Sequence, residues 1–92
     1  KELFKALNKK WDKLDVLVHS LAYAPKDELN GDFVDVTTRE GFAQAHDISS
    51  YSLLAMVREG RFMMSHGNAS VVTMTYLGAV KAIPNYNVMG LA

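Results

Sequence analysis

Two tyrosines near the end of the sequence, Tyr76 and Tyr86, are the side chains best suited to acting on a reacting group. A phenol donates a hydrogen bond readily, and two phenols at one cleft would stabilise an oxygen that gains negative charge during a reaction. The same two residues also suit amphipathic packing with their hydroxyls satisfied, so position alone leaves both roles open. Other titratable candidates carry less. His19 falls in an apolar run and His46 in a helical pattern, where a hydrogen-bonded structural histidine is expected. His66 sits in a turn and is expected to be solvated. Asp27, Glu28, Asp32 and Asp35 cluster without the spacing of a calcium loop, so no metal site is expected. Met56, Met63 and Met64 are expected to fill core or interface space.

The elements that would hold the tyrosines follow from periodicity. Leu3, Phe4, Leu7 and Trp11 recur at helical spacing and predict the end of an amphipathic helix over residues 1–11. Asp15 to Leu21 and Ser70 to Tyr76 are short, nearly continuous apolar runs, the pattern of strands buried on both faces. This places Tyr76 at the carboxyl end of the second strand, where ligands bind in open α/β sheets. Residues 24–35, with Pro25, Asn30 and Gly31, read as a loop long enough to suspect a function. Thr37 or Thr38 caps the next helix, with Glu40 in its first turn. Phe42, Ala45, Ile48, Ser49, Ser52, Leu53 and Met56 share one face of it. That helix is expected to run to about Met64, where the stretch Ser65-His66-Gly67-Asn68 stops it. Asn85 onward opens another helix with Pro84 near its start, placing Tyr86 in its first turn. The alternation predicts a doubly wound α/β fold. Here it would comprise about two parallel, adjacent strands with flanking helices, joined by a right-handed crossover.

The chain has 92 residues, enough for one small domain, and 49% of them are hydrophobic at zero formal net charge. This is a soluble globular composition. Neutrality argues against a nucleic-acid partner, because phosphate binding calls for a clustered positive field. Lys9, Lys10 and Lys13 form a small basic group, but Asp12 and Asp15 interrupt it, as on a solvated helix end. Cysteine is absent, which excludes disulfide and thiolate chemistry and suits a reducing compartment such as the cytoplasm. No apolar run approaches the roughly 20 residues that span a bilayer, so no membrane partner is expected. The charged amphipathic start does not look like a signal peptide. A start without Met and an end at Leu91-Ala92 have the look of cuts inside a longer chain.

The blocks around the tyrosines are more specific than any of these features. Tyr76-Leu77-Gly78-Ala79, followed by Pro84-Asn85-Tyr86-Asn87-Val88-Met89-Gly90, resembles the active-site segment of enoyl-acyl-carrier-protein reductases. Thr38-Arg39-Glu40-Gly41-Phe42 with His46-Asp47-Ile48-Ser49-Ser50-Tyr51-Ser52 is similar to the preceding helix of that family. Val18-His19-Ser20-Leu21-Ala22-Tyr23-Ala24-Pro25 is similar to its preceding strand and loop. The matched blocks cover nearly the whole chain in the family's order.

The resemblance implies a Rossmann-like fold within the short-chain dehydrogenase superfamily and the use of NADH, with NADPH as the alternative. It implies reduction of a trans-2-enoyl thioester carried on acyl carrier protein, in fatty acid biosynthesis, by a cytoplasmic homotetramer. Tyr86 matches the tyrosine that hydrogen-bonds the thioester carbonyl, and Tyr76 matches the second active-site tyrosine beside the acyl pocket. Ser20, Leu21 and Ala22 match the strand end beside the cofactor. Tyr23, Ala24 and Met89 match substrate-wall residues. The usual superfamily site is Tyr-x3-Lys, and Gly90 stands where that lysine would be. In the enoyl reductases the lysine comes about two helical turns after the tyrosine, which here means directly after Ala92. That lysine and the glycine-rich nucleotide loop are therefore expected outside these residues, and the chain alone is expected to be inactive. Residues 1–92 would form an internal segment of a single Rossmann-like domain. Two other readings remain: another short-chain dehydrogenase such as a ketoacyl reductase, which the residue at Gly90 opposes, or a non-catalytic interaction module keeping half of the fold.

Overall fold

The two apolar runs become strands where branched side chains favour extended backbone. In the computed structural model, which describes residues 2–92, β1 spans Val16–His19 and β2 spans Ser70–Thr73. They pair in parallel as a two-stranded sheet, in the register Val16↔Ser70, Leu17↔Val71, Val18↔Val72, His19↔Thr73. The parallel, adjacent pairing is as expected. Backbone bonds extend the ladder at each end, from Ser70 N to Asp15 O at 2.8 Å and from Met74 N to His19 O at 3.1 Å.

The chain divides into two compact units. The first takes the chain up to Ser20 together with Leu53–Met74, and the second takes Leu21–Ser52 with Thr75–Ala92.

In the first unit, α1 (Glu2–Asn8) turns Phe4 inward and winds off through Lys9 to Trp11. Helix α4 (Ser52–Gly60) is followed by a 3-10 turn, Arg61–Met63. Phe4, Leu17 and Met63 are buried. Gly60 lets the Phe4 ring approach the α4 backbone: a Cβ there would stand 2.5 Å from the ring. The strands depart from the expectation of burial on both faces. Leu17 and His19 are buried, but Val16 is 53% and Val18 57% exposed, and every residue of β2 is exposed. The strand sequences are apolar on both sides, while among the described residues only one face of β1 is covered. Residues 65–69 depart too. His66 is not solvated: its Nε2 lies 3.1 Å from Leu14 O and 3.3 Å from Asp15 Oδ1, and its Nδ1 accepts from Asn68 N at 3.3 Å. An imidazole offers a donor and an acceptor at opposite edges, and this turn uses both. His19 is structural as expected. Its Nδ1 is 3.1 Å from Thr73 Oγ1, which donates to His19 O at 3.2 Å.

In the second unit the expected loop over 24–35 contains a 3-10 turn, Lys26–Leu29, and a one-turn helix α2, Phe33–Val36. Helix α3 (Arg39–His46) begins at Thr38, whose side chain accepts from Gly41 N at 2.9 Å. Thr38, rather than Thr37, is therefore the cap. The single long helix expected from here to Met64 is subdivided: α3 passes into a π-helical stretch, Asp47–Tyr51, before α4. His46 donates from Nδ1 to Phe42 O at 2.9 Å and stacks on the Phe42 ring, a structural role. The last helix, α5, is short, Val88–Leu91, and buries Val88. No metal-ligating cluster occurs among the described residues, and no described helix is long and apolar enough to cross a membrane.

Candidate active site

The chain leaves β2 at Thr73, so Tyr76 lies beyond the strand and not at its carboxyl end. It is extended, and its carbonyl accepts from Ala79 N at 2.9 Å, opening a 3-10 turn over Leu77–Ala79. Tyr86 likewise stands just before α5 and not in its first turn. The helix is delayed because Asn85 and Asn87 both take positive φ, at 66° and 49°.

Despite these shifts, the two tyrosines meet. Their ring centroids are 5.2 Å apart with the planes inclined at 59°, a favourable tilted pair. Tyr76 is 56% exposed, so the pair is open to solvent on one side. Gly78 makes the approach possible. A Cβ there would lie 2.5 Å from the Tyr86 ring and 3.3 Å from the Tyr76 ring. Gly90 in turn packs on the Gly78 backbone, where a Cβ would lie 3.0 Å from Gly78 O. Glycine at 90 thus has a steric reason, apart from the absence of a superfamily lysine there.

The turn carrying Tyr86 is tied to the segment Glu28–Gly31. Asn85 Oδ1 accepts from Gly31 N at 3.0 Å. Asn87 Nδ2 donates to Glu28 O at 2.9 Å and to Gly31 O at 3.1 Å. Asn87, at φ 49° and ψ −122°, is outside the regions open to an ordinary L-residue, a strain of about 1–3 kcal/mol that its surroundings must hold. Glu28 is 5% exposed, and its carboxylate accepts from Thr38 N at 3.2 Å and from Thr38 Oγ1 at 2.7 Å. A carboxylate at the start of α3 also complements the helix dipole. Gly41 gives it room, since a Cβ there would fall 1.7 Å from Glu28 Oε2. The acidic residue that composition alone would place in a solvated loop is thus a buried anchor.

Of the expected substrate-wall residues, Tyr23 and Met89 share one partner. Ser49, in the π-helical stretch, accepts from Tyr23 N at 3.0 Å, and its hydroxyl lies 3.2 Å from Tyr23 O and 3.8 Å from Met89 Sδ. Ala24 is half-buried beside Tyr23 in the chain. Ser20, Leu21 and Ala22 follow β1 and are exposed. A cleft of about 410 Å³ along residues 78–83 is lined by Phe33, Val80, Ile83, Tyr86 and Leu91 among others. Tyr76 is not in its wall, so the two tyrosines meet through their rings and not across this cleft. Reading the sequence missed Glu28, Ser49, Asn85 and Asn87. The asparagines carried a signal, because Asn is the non-glycine residue most at home at positive φ.

A family model described as Enoyl-(Acyl carrier protein) reductase matches residues 1–92. The chain is 57% identical over 90 residues to "Enoyl-[acyl-carrier-protein] reductase [NADH] FabI" of Escherichia coli strain K12, covering 98% of this chain and 34% of that protein. It is 55% identical over 91 residues to the protein of the same name from Neisseria meningitidis serogroup B, covering 99% and 35%. Among solved structures it is similar to enoyl-[acyl-carrier-protein] reductase (NADH) from Aquifex aeolicus VF5, with TM-score 0.95 at 52% identity over 99% of this chain and 36% of that one. It is also similar to the enoyl-(acyl-carrier-protein) reductase of Anaplasma phagocytophilum in complex with NAD, with TM-score 0.92 at 39% identity over 98% and 34%. The chain thus spans about a third of the length of the relatives it matches. The match to these structures makes the α/β architecture part of a Rossmann-like sheet.

Proposed function

This chain belongs to the enoyl-(acyl carrier protein) reductase family, and on that footing we propose that the whole protein reduces trans-2-enoyl thioesters on acyl carrier protein with NADH. The observation that carries the reading in this chain is the Tyr76–Tyr86 pair, with ring centroids 5.2 Å apart. NADH, when bound, supplies the hydride that adds to the β-carbon of the enoyl group. Charge then develops on the thioester oxygen. Tyr86 donates a hydrogen bond to that oxygen, which lowers the barrier because the interaction strengthens as the charge forms. A proton drawn from solvent then adds to the α-carbon, and the enolate charge collapses to give the saturated thioester. Tyr76 borders the acyl chain and holds the Tyr86 ring in place. Tyr23, Ala24 and Met89 form the substrate wall, with Ser49 fixing the first and last of them.

Ser20, Leu21 and Ala22 are proposed to line the cofactor. Their exposure directly after β1 fits that use, since nucleotides bind beyond the carboxyl ends of strands in such sheets. No cluster of glycines suited to a phosphate loop occurs in these 92 residues. We therefore propose that residues 1–92 are an internal segment of one Rossmann-like domain. Its phosphate loop would precede Lys1 and its active-site lysine would follow Ala92, consistent with a match to about a third of each relative. The protein is proposed to be a cytoplasmic homotetramer. Exposed Leu54 on α4 is a side chain that a two-fold mate would cover.

The test is NADH-dependent reduction of a crotonyl thioester by the full-length protein and its Tyr86→Phe variant. Turnover should fall about a hundredfold on loss of a donor to developing charge, while the Kd for NADH changes by less than about twofold. Weaker NADH binding with turnover intact would contradict the role.

A further inference from the structure

We propose that Asn85 and Asn87 are positioning residues for Tyr86: their side-chain amides bond in opposite senses to the backbone of Glu28–Gly31 and fix the turn that carries the tyrosine. This rests on the reading of Tyr86 as the donor to the thioester oxygen.

The two asparagines flank Tyr86 directly, so bonds from both fix its Cα between them. Which end of each amide faces its partner follows from chemistry. Gly31 N–H can only donate, so Asn85 presents Oδ1, at 3.0 Å. The Glu28 and Gly31 carbonyls can only accept, so Asn87 presents Nδ2, at 2.9 and 3.1 Å. Both asparagines take positive φ, and Asn87 combines φ 49° with ψ −122°. Such a backbone persists only where its surroundings over-determine it, and outliers of this kind gather at functional sites. The anchor at the other end is firm. Glu28 is buried and accepts from Thr38 N and Oγ1 at the start of α3. Behind the tyrosine, Gly78 leaves the ring no room for an intervening side chain. Tyr86 is therefore aimed by a chain of directional bonds running from α3 through Glu28 and Gly31 to Asn85 and Asn87. A displacement of the phenol by even 1 Å matters, because donors to developing charge act only at correct geometry.

The opposite polarity of the two amides gives a test that a general loss of packing cannot imitate. Asn85→Asp keeps an acceptor for Gly31 N–H, whereas Asn87→Asp turns a carboxylate toward two carbonyl oxygens. The two substitutions are equally isosteric, and aspartate tolerates positive φ. In the full-length protein, Asn87→Asp should lower kcat for a crotonyl thioester on the order of a hundredfold, at least about ten times more than Asn85→Asp. The Kd for NADH should move by less than about twofold. In a Tyr86→Phe background the same Asn87→Asp change should cost less than about threefold, because it has no hydroxyl left to aim. Asn87→Gly, which takes this backbone freely, is the second variant should the aspartate impair folding. It removes the amide bonds and should lower kcat by about tenfold, again only while Tyr86 is present. Equal losses from Asn85→Asp and Asn87→Asp, or an undiminished loss in the Tyr86→Phe background, would overturn the proposal. A wild-type protein with no turnover of the thioester would instead overturn the reading of Tyr86, and this role with it.

Discussion

Around β1 and β2 the register is set by backbone bonds between Val16–His19 and Ser70–Thr73, and side chains mostly point outward. Around Tyr86 the geometry is set by named side-chain atoms, from Glu28, Thr38, Asn85 and Asn87, and by three glycines, Gly41, Gly78 and Gly90, that admit close approach. The difference bears on tolerance. A strand ladder needs extended backbone and apolar bulk, which many residues supply. A turn built from directional bonds and bare α-carbons needs particular residues, because a lost partner leaves a polar group unpaired and an added methyl has nowhere to go. The strand region should therefore answer to changes in buried volume and the tyrosine region to changes of single atoms.

Three substitutions in the full-length protein probe that contrast through stability, measured by urea unfolding. Phe4→Ala should have the largest effect, about 3 kcal/mol, because it empties a buried aromatic site against Gly60. A loss under about 1 kcal/mol would mean that Phe4 is not a main support of the strand region. Gly41→Ala should cost about 2 kcal/mol, since one methyl evicts the buried Glu28 carboxylate from its bonds to Thr38. If Gly41→Ala is neutral or stabilising, as an ordinary helical glycine-to-alanine change would be, then the single-atom character of this region is refuted. Asp15→Asn should change stability by less than about 0.5 kcal/mol. Its carboxylate pairs with His66 at 3.3 Å but the side chain is 66% exposed, so water screens the attraction. A larger loss would move the strand region toward the behaviour of the tyrosine turn.

The same contrast explains what could be read from the sequence. The apolar runs at Val16–Leu21 and Ser70–Tyr76 announced strands, and their alternation with a helical pattern announced parallel pairing, because periodicity reports burial and burial builds sheets. Both strands are shorter than these runs, ending at His19 and Thr73, because the length of their single ladder is a fact of pairing and not of composition. Tyr76 and Tyr86 were legible as a pair through the blocks that surround them. Their supports were not. Glu28 stands among Asp27, Asp32 and Asp35 with nothing in its spacing to mark it as the buried one. Its role depends on Thr38 and on the missing side chain of Gly41, which meet it only in three dimensions. Ser49 was read as one polar member of an amphipathic face, but the π-helical stretch Asp47–Tyr51 changes the phase of that face. His66 was read as solvated because a turn is usually wet, yet Leu14 O and Asp15 lie beside it.

The pairs that hold each region are far apart along the chain. His19 meets Thr73 across 54 positions, and Glu28 meets Asn87 across 59. The two spans interleave, since each begins or ends inside the other. Bringing distant ends together costs chain entropy that rises with the logarithm of the path between them. Once either pair has closed, the route along the chain to the other runs through the closed point and is less than half as long. The first closure therefore lowers the entropic barrier to the second, whichever comes first. The helical run that starts at Arg39, which needs only near neighbours for its own hydrogen bonds, shortens both routes before either has formed. The crossing of the two spans thus couples their closure in folding, and a cut anywhere between Glu28 and Thr73 would sever both.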